Sequence, residues 1–157
     1  MHSRIYQISK EPIQDFISED RYYEGFVGSH ADYVSEVEYK SDDYLNDLKW
    51  LQNATEGLEV NIKEGTITVT SKKEYFAKKH EDFQKLIEEL SDVTLEEFSS
   101  GKLEFKISDL KCAYDDKYSF YADDNDEYTG LTTLDNWVRN AEEGEVYYIG
   151  TIIDYHF

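Results

Sequence analysis

Residues 58–71 read LEVNIKEGTITVTS. Leu58, Val60 and Ile62 alternate with polar residues, and the alternation resumes from Thr66 through Ile67 and Val69. Between the two arms, Lys63-Glu64-Gly65 is a short return with a glycine available for positive φ. This pattern is an antiparallel hairpin. A helix follows without a linker. Ser71-Lys72-Lys73-Glu74 fits a capping box, and Phe76, Phe83, Leu86, Ile87 and Leu90 then form an apolar stripe over about five turns. His80 falls on the same stripe and is expected at its partly buried boundary. A hairpin that runs straight into a long helix, with no βα repetition elsewhere, sets the fold class as α+β. The expectation is one domain over residues 1–157, with a mostly antiparallel sheet, one long helix and two to four shorter ones.

Toward the C-terminus, Thr94-Leu95-Glu96-Glu97 is a second capping box, and Gly101 can end the helix it starts. Residues 103–114 fit helix and strand equally. Lys117–Ala122 is short and aromatic and reads as a strand. Thr133 is placed to cap a short helix through Asn140. Residues 145–157 read as the last strand, with Tyr147, Ile149, Thr151, Ile153, Tyr155 and Phe157 on one face.

Toward the N-terminus, Ser41 to Ala54 is a helix. Ser41 is its N-cap, Asp42 and Asp43 suit the positive end of the dipole, and Gly57 stops the run. Its stripe is Tyr44, Leu45, Leu48 and Leu51; Trp50 lies off it, and Trp50 and Trp137 are each either core or interface rings. Residues 13–40 carry little periodicity. Ile13, Phe16 and Ile17 suggest a short helical turn, and Ala31, Val34 and Val37 have roughly helical spacing, with Asp32 near the start. Arg4 to Ser9 reads as the first strand, ending before Glu11-Pro12. If the first and last strands pair, His2 and His156 meet.

The motifs that carry chemistry are weak. His80-Glu81 opens like a zinc-protease helix, but the position that needs the second histidine holds Gln84. Asp123-Asp124-Asn125-Asp126-Glu127 resembles a calcium loop only in composition: the sixth and twelfth positions, counted from Asp123, hold Tyr128 and Leu134 instead of Gly and Glu. Ser29, His30 and Asp32 are triad residue types in one short stretch without a nucleophile elbow. Gly25 and Gly28 belong to no phosphate loop. No catalytic, cofactor or metal residue is therefore named, and no cofactor is expected. Cys112 is the single cysteine, which excludes an intrachain disulfide and fits a cytoplasmic location. The first residues carry no signal-peptide pattern, and no apolar run approaches a membrane span.

Charge is the informative feature. The 157 residues include 35 acidic and 16 basic side chains, a net charge of −19. That excludes direct nucleic-acid binding and attraction to anionic membranes, and it favours basic partners. The excess is uneven. Residues 11–47 carry 11 acidic and 2 basic residues, and residues 113–145 carry 10 and 2, whereas residues 49–112 carry 13 and 10. Both acidic segments are rich in tyrosine, which offers contact area at low entropy cost beside carboxylates that steer a basic partner. The expected partner-binding residues are Asp20, Glu24, Asp42, Asp43 and Asp47 in the first segment, and Asp115, Asp116, Asp123, Asp124, Asp126 and Glu127 in the second.

These observations point to a non-enzymatic acidic binding domain for a basic protein, of the nucleic-acid-binding kind. Carboxylates spaced like the charges of a duplex would occupy its groove. In size and charge the chain is similar to small phage and plasmid antagonists, a similarity of composition alone. The alternatives are an immunity-type or adaptor protein for a basic toxin or enzyme, an enzyme with a carboxylate site, and an accessory protein of a mobile element.

Overall fold

In the computed structural model the described residues are 1–125 and 130–157. The chain forms one α+β domain built on a seven-stranded mixed sheet. The order of elements is β1 (His2–Ser9), a 3-10 turn (Glu19–Tyr22), β2 (Tyr33–Val37), α1 (Asp42–Ala54), β3 (Leu58–Asn61), β4 (Thr66–Val69), α2 (Lys72–Ser91), α3 (Leu95–Ser99), α4 (Leu103–Tyr114), β5 (Tyr121–Asp123), β6 (Leu131–Thr133), α5 (Leu134–Asn140) and β7 (Val146–His156).

β7 is the axis of the sheet. β1 pairs antiparallel along one side of it, with His2 opposite His156. On the other side, β4 pairs with Val146–Tyr148 and β2 with Ile152–His156. β3 extends the sheet beyond β4, and β5 and β6 extend it beyond β1. The β1–β5 pair is parallel, with Ile5 opposite Tyr121, and is the exception to an otherwise antiparallel sheet.

Local chemistry explains the elements that were legible. In the hairpin, Leu58 and Val60 are buried while Glu59 and Asn61 are exposed, and the Gly65 amide closes the turn on the Asn61 carbonyl at 2.8 Å, with φ at +65°. The Ser41, Ser71 and Thr133 hydroxyls each accept the N3 amide of the helix they precede. Thr94 and Glu97 form a full reciprocal capping box. Residues 103–114 are helical, which settles that ambiguity.

Two cores sandwich the sheet. The first holds Tyr6, Ile8, Ile67, Val69 and Ile152 from the strands, covered by α1 and α5. The second holds Ile5, Tyr121, Ile153 and Tyr155, covered by Ile17, Tyr22, Phe26, Ala31 and Val34. The poorly periodic stretch 13–40 thus covers the second face. No helix forms at residues 13–17; the single helical turn lies further on, at Glu19–Tyr22. Residues 33–37 are a strand rather than a helix, because the outer side of β7 offers a pairing edge that overrides the spacing of Ala31, Val34 and Val37. The strand expected at Lys117–Ala122 is confined to Tyr121–Asp123.

The single face expected for residues 147–157 is also corrected. Tyr6 pairs with Ile152 but Ile8 with Ile149, so β7 holds one extra residue opposite Gln7. This bulge flips the alternation. Tyr147 and Ile149 share the first core with Ile152, while Ile153 and Tyr155 enter the second. Gln7 fills the bulge: its Oε1 accepts from Thr151 N at 3.1 Å and Ile17 N at 3.3 Å, and its Nε2 donates to Asp15 O at 2.7 Å. A Cβ at Gly150 would lie 2.3 Å from Gln7 Oε1 and 3.1 Å from Ile13 Cγ2. Gly150→Ala is therefore expected to cost about 1–3 kcal/mol through displacement of this side chain, read as a lower midpoint in urea unfolding. An unchanged midpoint contradicts that role for Gln7.

α2 leaves the sheet after its first turns. Only Tyr75 is buried along its 20 residues. Its apolar stripe meets α4, where Phe83 and Tyr114 rings lie 6.3 Å apart, so α2, α3 and α4 form a helical arm. His80 is exposed there, beside Gln84, rather than partly buried. The base of the arm is fixed by Asp135, which is almost wholly buried: it accepts from Tyr75 Oη at 2.8 Å and from Lys79 Nζ at 2.5 and 2.7 Å. Among the described residues no helix is long and apolar enough to cross a membrane.

Candidate protein-binding surface

The second core places the acidic N-terminal segment. Phe26 packs edge-on against Tyr121 and Tyr155, and Tyr22 and Ile17 lie beside it under the sheet. With these apolar side chains inward, the intervening polar residues face solvent. Glu19 then ties the turn to β2. Its Oε2 accepts the Glu36 amide at 2.7 Å, and its Oε1 lies 3.5 Å from the Tyr23 hydroxyl. The same contact occupies an amide on the outer edge of β2, a means of blunting a sheet edge. Phe16 reaches the end of β2, where its ring lies 4.9 Å from Tyr39, and Tyr39 in turn packs on Tyr44 of α1.

One strip of surface results. Phe16, Tyr23 and Tyr39 are 42–49% exposed on it. The exposed carboxylates Asp15, Asp20, Glu24, Glu36 and Glu38 flank them in sequence, with Asp42 and Asp43 at the start of α1, and Lys40 Nζ lies 5.2 Å from the Tyr39 ring. Glu19, beside it, raises the Tyr23 hydroxyl above its ordinary pKa.

The expected site residues divide into surface and interior groups. Asp20, Glu24, Asp42, Asp43 and Asp124 are exposed. Asp123 is fully buried: Arg21 Nε donates to it at 3.0 Å and Tyr22 Oη at 2.9 Å. It joins the two acidic segments from inside and presents no charge to a partner. Asp47 is buried against Arg4, whose Nε lies 2.7 Å from Oδ2; burial raises the Asp47 pKa despite that pairing. Half-buried Asp115 accepts from Thr133 Oγ1 at 2.6 Å and Asn136 Nδ2 at 3.1 Å, holding the start of α5. Half-buried Asp116 accepts the Tyr118 amide at 2.9 Å. Asp126 and Glu127 lie outside the described residues, so the acidic stretch 123–127 is described only through Asn125. Within it, the Asp123 carboxylate also accepts the Asn125 amide at 2.8 Å.

The structure adds Asp15, Phe16, Glu19, Glu36 and Glu38, which were not among the expected site residues. No local signal marks them, because their grouping depends on the turn lying alongside β2. The triad residue types do not assemble either. Ser29 Oγ lies 2.8 Å from His30 Nδ1, but Asp32 meets His156 at 3.2 Å. His2 and His156 do meet, with ring centroids 5.0 Å apart, and His2 Nδ1 lies 3.0 Å from Asp154. Both tryptophans pack inward in part: Trp50 on Phe120 and under Arg4, Trp137 on Tyr147.

A cavity of about 330 Å³ opens beside Asp135, between Tyr75, Lys79, Phe120 and Leu134. Both Asp135 oxygens are taken by Lys79, and one also by Tyr75, so the carboxylate is committed to holding α2 against α5. Compared with protein-family models, with curated proteins and with solved structures, the chain matches none of them.

Proposed function

We propose that this domain is a non-enzymatic binding protein whose partner is a basic protein. The supporting observation is the strip formed by the Glu19–Tyr22 turn and β2, where three exposed aromatic rings are flanked in sequence by seven exposed carboxylates. Rings of this kind supply the apolar anchor of an interface, and the carboxylates around them supply steering and selection for positive charge. The form of this function that the charge favours is an inhibitor that lies in the groove of a nucleic-acid-binding protein and imitates the charges of its ligand. A domain of this kind works in the cytoplasm and suits a mobile element that must disarm a host enzyme. An immunity-type or adaptor role, with a basic toxin or enzyme as partner, uses the same surface and differs only in the protein captured.

Immobilised domain, exposed to lysate of the source organism, is expected to retain basic proteins at low salt and release them as salt rises to about 0.5 M, where the Debye length falls to roughly 4 Å. Retention of no basic protein at low salt, or retention indifferent to salt, contradicts the reading.

A further inference from the structure

The helical arm carries a second surface of opposite character. In an antiparallel helix pair at about 100° per residue, one flank of each helix contributes to the same side of the pair. α2 and α4 pack together, and at helical spacing the half-buried Phe83, Leu86 and Leu90 of α2 and Leu103 and Leu110 of α4 fall on the facing sides of their seam. On one side of this seam stand Lys78, Asp82, Lys85 and Glu89, an ordinary charged flank with Lys78 and Asp82 paired at 2.7 Å. On the other side stand Ile87 from α2 and Ile107 from α4, which are 39% and 54% exposed, with Tyr114, 57% exposed, at the edge of the seam against Phe83 and under Arg139. Their α2 neighbours on this flank are His80, Gln84 and Ser91. Glu104 and Lys111 of α4 lie on the same flank, so it sets these exposed apolar side chains beside one charge of each sign.

We infer that this flank docks a second copy of the chain, arm against arm, as an antiparallel four-helix bundle. Three features argue for this occupant. The first is net charge. The domain carries −19, so contact between copies through most other surfaces sets like charges together, whereas residues 72–114 hold 8 basic and 10 acidic side chains. The second is self-complementarity. Glu104, Ile107 and Lys111 lie on one flank of α4, spaced three and four residues apart. A twofold axis beside Ile107 brings the two isoleucines together and sets each Glu104 opposite Lys111 of the other copy, as an isologous contact requires. The third is distance. From that axis Tyr114 lies about 10 Å along the helix, on opposite sides in the two copies, so the acidic bodies begin roughly 20 Å apart, more than two Debye lengths at physiological salt. Two helix widths overlapping over about 20 Å offer roughly 400 Å² per copy, the size of a weak, transient interface, which implies dissociation no tighter than the micromolar range. This inference is independent of the acidic strip.

Sedimentation velocity of the intact chain, from about 1 to 200 μM, tests it. The expected result is a shift with concentration from the 18.5 kDa monomer to twice that mass. Ile107→Glu, an exposed change that leaves the fold intact by circular dichroism, is expected to weaken the dimer about 30-fold or more. Glu104→Lys alone or Lys111→Glu alone weakens it about five-fold, and the two together restore it. A monomer throughout the range overturns the proposal. So does a dimer that Ile107→Glu leaves unchanged, or a charge swap that fails to restore what the single changes remove.

Discussion

Raising the pH above about 10 is expected to unfold this domain in one cooperative step, because its cores hold tyrosine hydroxyls that can ionise only after leaving them. Tyr6, Tyr22 and Tyr75 are buried, and burial is the main cause that holds each phenol well above its ordinary pKa. A neighbouring carboxylate adds to the effect in every case: Asp47 beside Tyr6, Asp123 bonded to Tyr22, Asp135 bonded to Tyr75. The folded pKa of each lies above the unfolded one, near 10. The stability that depends on the protonated phenols is therefore complete below pH 10 and is lost as pH rises from there toward the folded values. Each group loses about 1.4 kcal/mol per pH unit in that range, so the three together lose about 4 kcal/mol by pH 11. That is a large part of the 5–15 kcal/mol that a domain of this kind possesses. Tyr121, pushed up to about 12, and Tyr44 and Tyr155, also raised by burial, act in the same direction. The measurement is tyrosinate absorbance and circular dichroism in one alkaline titration. Ionisation of the buried tyrosines and loss of structure are expected to coincide, after that of the exposed ones; ionisation of all 14 tyrosines near pH 10 with structure retained contradicts the account.

Asp123→Ala is expected to be the most damaging of the acidic substitutions, at about 3–5 kcal/mol. The side chain is fully buried and accepts from Arg21, Tyr22 and the Asn125 amide at 3.0, 2.9 and 2.8 Å. Removing it strips the buried Tyr22 hydroxyl and the half-buried Arg21 guanidinium of their shared acceptor and loosens the cover of the second core. Tyr22→Phe deletes one of these bonds and is expected to cost about 1 kcal/mol. Glu24→Gln, on the exposed side of the same segment, stays within about 0.5 kcal/mol. Urea unfolding of the three variants separates the roles. A cost below about 1 kcal/mol for Asp123→Ala returns Asp123 to the class of surface charges.

That contrast shows where the sequence stops being readable. Asp123 and Asp124 are neighbours of identical type, one buried and one exposed, and charge counting treats them alike. Asp123 is held by Arg21 and Tyr22, 102 and 101 residues away. Asp47 and Arg4 pose the same difficulty across 43 residues. Elements stabilised within a few residues were legible: the hairpin around Gly65, and the helix starts at Ser41, Thr94 and Thr133, where a hydroxyl and the amide it caps lie three residues apart. The meeting of His2 and His156 followed from pairing the end strands. Residues 13–40 were not legible, because Ile17, Tyr22, Phe26 and Val34 are placed by the second face of the sheet and not by a period of their own. The bulge in β7 belongs to Gln7 on the opposing strand, so no pattern within residues 146–156 announces it. The stripe on α2 was correctly read as apolar, but its partner was α4, in a segment whose pattern fitted two structures. The acidic strip combines these difficulties, since the turn meets β2 through the Glu19–Glu36 contact and through Tyr22 and Val34 in the second core, contacts between residues far apart in sequence.

The account of this strip separates a docking face from charge alone, and one comparison tests it. Phe16→Ser, Tyr23→Ser and Tyr39→Ser combined leave the net charge at −19 and change three partly exposed rings. Capture from source-organism lysate at low salt is measured for this variant and for the unaltered domain, with unfolding midpoints recorded for both. The account predicts that a folded variant loses the basic protein that the unaltered domain retains. A folded variant that retains the same protein, in the same amount, shows that charge alone attracts it and contradicts the aromatic-acidic strip as the binding surface.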